Sequence, residues 1–247
     1  MPAAPGAQPS TRTEERAAMK GTCIMRLVGP KLVKVWTSRR KWLGNLVPIP
    51  FWLIPTVAGI WLTYRSGKII GPGLWILVSG QLLGWIALNL FGLFENVRIK
   101  RDSMRNLTLR RPPAPGPVIF VGCASSRHHS LLDAHEDVGF LAFGPYELEF
   151  IGESKRVRFV REQITRVHFL PNVHTLLGLG RWIGIEAIIN GMPVRLLVEP
   201  RERNTLLGNL ALSSWLKKTI VDWRAGILPQ PDHRAMQHAP QIQEEDQ

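Results

Sequence analysis

The chain is poor in cysteine and in acid: it has two Cys and 19 Asp and Glu against 31 Lys and Arg in 247 residues. Cys23 and Cys123 stand alone, with no C-x-x-C spacing, so neither a disulfide framework nor a zinc site is available from them. No G-x-S-x-G elbow, no phosphate-binding GxxxxGK[ST] loop and no HExxH occurs, which removes the commonest hydrolase and nucleotide-binding signatures. The first 20 residues lack the apolar core of a signal peptide. The most telling absence lies within 43–64 and 74–94, where there is no Asp, Glu, Lys, Arg or His.

Those two runs are each about 20 residues long, the length an α-helix needs to cross a hydrocarbon core of about 30 Å. They are apolar all round, where a soluble core helix shows an apolar stripe. A two-helix transmembrane hairpin is therefore expected. The charges set its direction. Arg26, Lys31, Lys34, Arg39, Arg40 and Lys41 precede the first run, Arg98, Lys100, Arg101, Arg105, Arg110 and Arg111 follow the second, and only Arg65 and Lys68 lie between. By the positive-inside rule both flanks face the cytoplasm, giving a bacterial-type inner-membrane protein with both termini inside. The net charge of +12 thus reads as topology and headgroup attraction, and nucleic acid is not the expected partner. Both cysteines then fall on the reducing side, and the sequon at Asn106 carries no weight there.

Without ionisable residues the spans have no proton relay or ion path, so anchoring and packing are their expected work. Pro55 should kink the first span. Gly80 and Gly84 form a GxxxG pair with Gly92 on the same stripe, a spacing that lets helix backbones approach closely. The partner helix is either the first span or another copy.

Arg110–Pro117 region residues, Arg-Arg-Pro-Pro-Ala-Pro-Gly-Pro, mark a stiff boundary. Beyond it the period changes to two. Tyr146, Leu148 and Phe150 alternate with Glu147 and Glu149; Val157 and Phe159 with Arg156 and Arg158; Val167 and Phe169 with Arg166 and His168. Ile183, Ile185, Ala187 and Ile189 share one face of the next run, and Val194, Leu196 and Val198 one face of the last. These are half-buried antiparallel strands, and Asn190-Gly191 is a strong hairpin signal. After Pro200 the stripe Leu206, Leu210, Leu212, Leu216, Ile220, Trp223 is helical. The expected division is a disordered leader (1–22), an interfacial basic segment (23–42), the hairpin (43–94), a basic, Pro-rich linker (95–117), a β domain (118–225) and a disordered tail (226–247).

Short-turn strands closed by one helix, with the run Gly139 to Phe150 followed by a basic strand at 155–159, resemble a pleckstrin-homology-like (PH-like) barrel of the GRAM type over about 118–225. The resemblance implies a scaffold for lipid headgroups or peptides, with no catalytic residues and no cofactor.

Two side-chain groups are candidates for chemistry. Arg156, Arg158, Arg166 and Arg195 face away from the apolar set and suit phosphate or carboxylate, with Lys155 and Arg181 nearby. The cluster His128, His129, Asp133, His135, Glu136, Asp137 offers metal-ligand types, with His135 and Asp137 the better placed and His128 or His129 closing the shell; its alternative is a loop whose acids cap turns. Gly178 to Gly184 lacks dinucleotide spacing and leads into a strand, so it reads as a loop. The expected function is that of a non-enzymatic membrane protein binding a protein partner or anionic lipid headgroups, possible as a homo-oligomer. The alternatives are a membrane-tethered metal-dependent hydrolase or a structural subunit of a larger membrane complex.

Overall fold

A computed structural model of the chain describes residues 25–26, 34–110, 116–125 and 135–229. The leader expected at 1–22, most of the tail, Cys23, and His128, His129 and Asp133 of the polar cluster lie outside the described residues.

Two apolar helices stand side by side, α2 (Pro48–Ser66) and α3 (Pro72–Phe91), preceded by the short basic α1 (Ser38–Leu46). Proline opens both, where its missing N–H costs nothing. Gly67, at φ 65°, closes α2 in the left-handed conformation, and α2 runs through Pro55 without interruption. Both helices are long and apolar enough to cross a membrane, and only 11% and 22% of their apolar windows are buried within the protein. A core helix of a soluble protein would be mostly covered.

Close backbone approach holds the pair together. A Cβ on Gly84 would lie 2.6 Å from Trp52 Cβ, on Gly80 2.9 Å from Pro55 Cβ, and on Gly59 2.7 Å from the Leu77 nitrogen. The glycine stripe is thus filled by the first helix of the same chain. Gly92 differs: it packs against Leu206 of the C-terminal helix. Between the helices Trp52 Nε1 donates to Gln81 Oε1 (2.6 Å) and Gln81 Nε2 to Thr56 Oγ1 (2.9 Å), while within α2 Thr56 Oγ1 donates to the Trp52 carbonyl (2.7 Å). Polar side chains in an apolar helix pair are here satisfied by one another.

The chain turns at Glu95, whose φ of 55° is unusual for a residue with a Cβ. Its carboxylate is held by Arg40 at 3.1 Å and Arg98 at 3.5 Å, and Arg40 also reaches Asp102 at 3.2 Å. Next comes α4 (Asn96–Arg110), where a linker is expected from the charge and proline content. Asn96, Ile99 and Ser103 recur at helical spacing, and Ile99 is fully buried. One large apolar residue on a largely polar stripe leaves little hydropathy signal, which is why periodicity missed it.

The β domain has seven antiparallel strands: β2 (Val118–Ser125), β3 (Asp137–Phe143), β4 (Glu147–Gly152), β5 (Lys155–Val160), β6 (Ile164–Leu170), β7 (Trp182–Ile189) and β8 (Met192–Pro200). A two-residue strand, β1 (Met25–Arg26), extends the β5 edge, and the order is β1-β5-β4-β3-β2-β8-β7-β6. The β2–β8 pairing joins a four-strand and a three-strand meander. The inner face of both packs into one core with α5 (Leu206–Arg224): Leu141, Phe143, Leu148, Phe150 and Phe159 meet Ile183, Ile185 and Val198 around Leu216, Ile220 and Trp223. A ladder irregularity between Ile164 and Arg166 switches the inward parity of β6 from Ile164 to Val167 and Phe169. Asn190 (φ 50°) and Gly191 (φ 78°) form the β7–β8 turn with both central residues left-handed.

The outer face is also covered. Phe120, Val138, Phe140 and Ile151 pack with Val35 and Trp36 from before the hairpin and Ile99 and Met104 from after it. All of β3 is consequently buried.

If glycine packing holds the hairpin, Gly84→Leu should destabilise the detergent-solubilised protein by about 1–3 kcal/mol, the usual cost of overpacking. Leu82→Val, at a side chain 60% exposed, should stay within about 0.5 kcal/mol. Thermal unfolding followed by tryptophan fluorescence distinguishes the two.

Candidate functional site

The outer layer contains a sealed polar joint between the helical arms and the sheet. Its centre is Glu199, on the outward side of β8 and buried. His135 Nε2 lies 3.0 Å from Glu199 Oε2, and His174 Nδ1 lies 3.9 Å from the same oxygen. The His135 ring meets Trp182 edge-on at 5.2 Å and sits over Gly122, where any Cβ would strike it. Gly180 leaves room in the same way for Glu199 and His174.

Arg201 follows at the end of β8. It is buried, its guanidinium stacks 4.7 Å from the Trp36 ring, and its Nε donates to Asn96 Oδ1 at 3.1 Å. Asn96 Nδ2 returns hydrogen bonds to the carbonyls of Arg201 (2.6 Å) and Arg203 (3.1 Å). Trp36 Nε1 donates to the His135 carbonyl at 3.3 Å. The backbone N–H groups of Val35 and Trp36 both donate to the Glu153 carboxylate, the latter at 2.7 Å. Glu202 accepts from the Phe120 N–H at 2.6 Å and pairs with Lys100. Each arm is thus tied to the sheet by hydrogen bonds to ionised groups, which are stronger than neutral ones.

Electrostatics follow from enclosure. Burial lowers the His135 pKa below its ordinary value; the Glu199 carboxylate beside it opposes this, while the positive Arg201 adds to it. Burial alone would raise Glu199, but the closeness of His135 and His174 outweighs it and holds the carboxyl at about 2. The arrangement is a neutral His135 beside an ionised Glu199.

Asp137 is spent elsewhere. Its carboxylate accepts from the N–H groups of Val138 (2.8 Å), Glu153 (3.2 Å), Ser154 (2.8 Å) and Lys155 (3.1 Å), and from the Ser154 hydroxyl (2.9 Å). It closes the β4–β5 turn that presents Glu153 to the Trp36 segment. His135 and Asp137 therefore address different partners. Among the described residues no three His, Cys, Asp or Glu side chains are grouped to hold a metal ion. Glu136 pairs with Lys155.

The four outward arginines divide between the two meanders of the sheet, and three are ion-paired. Arg156 Nε meets Glu149 at 2.5 Å, Arg158 Nε meets Glu147 at 3.3 Å and Glu149 at 3.5 Å, and Arg195 meets Glu186 at 2.5 Å. Arg166 is exposed, opposite Glu186 in the ladder. The face is of mixed sign, because the glutamates that alternate with the apolar residues of β4 and β7 share the arginines' side of the sheet. Arg181 stacks 3.7 Å from the Phe169 ring centre and donates to Ser213 (2.8 Å) and Ser214 (2.5 Å), fixing α5 to the sheet. Cys123 is buried in the core, and burial pushes its thiol pKa up, away from reactivity.

Sequence reasoning singled out His135 but not Glu199, His174, Arg201, Trp36 or Asn96. The signal available was weak: an acid after the apolar run Leu196 to Val198 near the end of a strand. No known protein family matches the chain, and no curated protein matches it.

Acid should weaken this joint. The unfolded chain binds the His135 proton at its ordinary pKa and the folded chain only at lower pH, so this contribution is present above that pKa and fades as pH falls through it. The Glu199 contribution follows, lost as pH drops from 4.5 towards about 2. His135→Gln should be less stable than wild type at pH 7 by about 1–3 kcal/mol, since it strands a buried carboxylate, and should lose less of its melting temperature between pH 7 and 5. Scanning fluorimetry across that range reads both effects. Glu153→Ala should free the Trp36 segment, and limited proteolysis should then cut near residue 36 faster while the β domain stays intact.

Proposed function

We propose that this protein is a non-enzymatic, membrane-anchored interaction protein, with α2 and α3 as its transmembrane hairpin and both termini cytoplasmic. Its β domain acts as a PH-like barrel: two meanders joined by the β2–β8 pairing, wrapped about one core, with a single helix against the inner face. The observation that carries this reading is the burial of chain from both sides of the hairpin, Val35 and Trp36 before it and Ile99 after it, against one sheet face. A domain joined in this way is a platform fixed on its anchor, suited to presenting a surface at a set height and orientation.

The surface presented favours a protein partner. Arg156, Arg158 and Arg195 are already balanced by Glu149, Glu147 and Glu186. Patterned charge of both signs selects a partner with the complementary pattern, whereas an anionic leaflet would be repelled by the glutamates. Arg166 supports the lipid reading to a lesser degree, as an exposed member of the set outside those three ion pairs. The hydrolase alternative draws little support from His135 and Asp137, which are committed to separate hydrogen-bond networks. The hairpin's glycines are occupied within the chain, which leaves the subunit-of-a-complex reading to other surfaces of the helices.

Purification of the full chain in mild detergent, with bound proteins and lipids identified, tests the proposal. A stoichiometric protein partner should be recovered, and a double change Arg166→Glu with Arg195→Glu should release it. Recovery of the wild-type chain alone, or with enriched anionic lipid and no protein, overturns the reading.

A further inference from the structure

The connection between β6 and β7 has an apolar tip beside the second apolar helix. Its short 310 turn, Val173–Leu177, leaves Leu176 88% and Leu177 50% exposed. From Pro171 to Gly180 there is no Asp, Glu, Lys or Arg. Trp85 Nε1 of α3 donates to the Leu177 carbonyl at 2.9 Å. At the base of the loop, Leu179 is fully buried with Leu93 and Leu206, and Trp85 and Leu88 pack against them.

Depth decides what this contact means. Trp85 lies six residues before Phe91, the end of α3, which at 1.5 Å per residue is about 9 Å inside the helix. If the bilayer stopped at Trp85, only about 21 Å of helix would remain from Pro72, well short of a core of about 30 Å. A bilayer that covers the whole of α3 reaches past the loop. Leu176 and Leu177 then lie at the depth where interfacial segments sit, about 5–10 Å into the headgroup and acyl boundary.

The loop also satisfies many of its own backbone groups. Backbone groups in hydrocarbon must be satisfied internally. Here Asn172 N–H donates to Thr175 Oγ1 (2.8 Å), Thr175 N–H to Asn172 Oδ1 (2.9 Å), and Thr175 Oγ1 to the Gly180 carbonyl (2.7 Å). Gly178 N–H donates to the Thr175 carbonyl (3.0 Å), Leu179 N–H to that of His174 (2.9 Å), and the Leu177 carbonyl takes the Trp85 proton. Leu207, exposed on the first turn of α5 and bonded through its N–H to Asn89 of α3, extends the same apolar edge.

We propose that this loop is a third membrane contact: Leu176 and Leu177 enter the cytoplasmic boundary of the bilayer beside α3 and dock the β domain onto the lipid. This rests on the hairpin's crossing the membrane. The contact adds to the polar joint a second support for the domain.

Single-cysteine full-length chains in a Cys23→Ser background, where buried Cys123 does not label, carry an environment-sensitive fluorophore in phosphatidylethanolamine–phosphatidylglycerol vesicles. Leu176→Cys should give blue-shifted emission, loss of most of that emission to lipids bearing a shallow nitroxide, and protection from aqueous iodide. Met192→Cys, at the opposite end of β8, should show the reverse. Leu82→Cys on α3 reports the hairpin itself. Aqueous behaviour at 176 with lipid behaviour at 82 overturns the loop contact alone. Aqueous behaviour at both overturns the membrane reading and this inference with it. Blue-shifted emission at 176 without nitroxide quenching means that protein covers the loop, and also overturns it.

Discussion

The outer face of β2 and β3, extended by Ile151 of β4, is apolar like the inner one, and the structure depends on covering it. A sheet with Phe120, Val138, Phe140 and Ile151 on one side and Leu141, Phe143, Leu148 and Phe150 on the other needs two layers of packing. The C-terminal helix supplies one. The other comes from chain on both sides of the apolar hairpin, so the domain is completed only by the segments that lead to and from the two apolar helices. Hairpin and domain are in this sense one folding unit, with Trp36 and Ile99 as the shared core residues.

The polar groups in that layer form a sequence of dependencies. Asp137 shapes the β4–β5 turn, the turn presents Glu153, and Glu153 holds the backbone of Val35 and Trp36. The Trp36 ring then lies against Arg201, which is fixed by Asn96 at the start of α4. Glu199 and His135 fill the space behind. Buried charged groups of this kind add little net stability against apolar replacements but are costly to break singly. They specify one arrangement of arms and sheet, whereas a greasy contact would allow several.

Much of this molecule was legible in the amino-acid order. The two apolar helices followed from length and absence of charge, the strands beyond Tyr146 from alternation, the β7–β8 turn from Asn190-Gly191, and the C-terminal helix from its stripe. The joint was not legible. Its members are spread from Trp36 to Arg201, and a lone Trp, Asn or Glu has no periodicity to betray it. His135 and Asp137 drew attention as neighbours in sequence, yet β3 sends them to different partners. The arginines were visible as outward residues, while their neutralisation was not, because pairing depends on which strands lie side by side.

What the sequence by itself determined was composition along the chain: which stretches are apolar enough for a membrane, which alternate as strands, which end in turns. These are local properties, set by side-chain character at a period of 3.6 or 2. The tertiary structure alone decided that 96–110 is a helix laid on the sheet, that the hairpin's glycines are filled by its own first helix, and that the Leu176 loop reaches the flank of α3. Each of those is a contact between distant segments, and its energy exists only when the two surfaces meet.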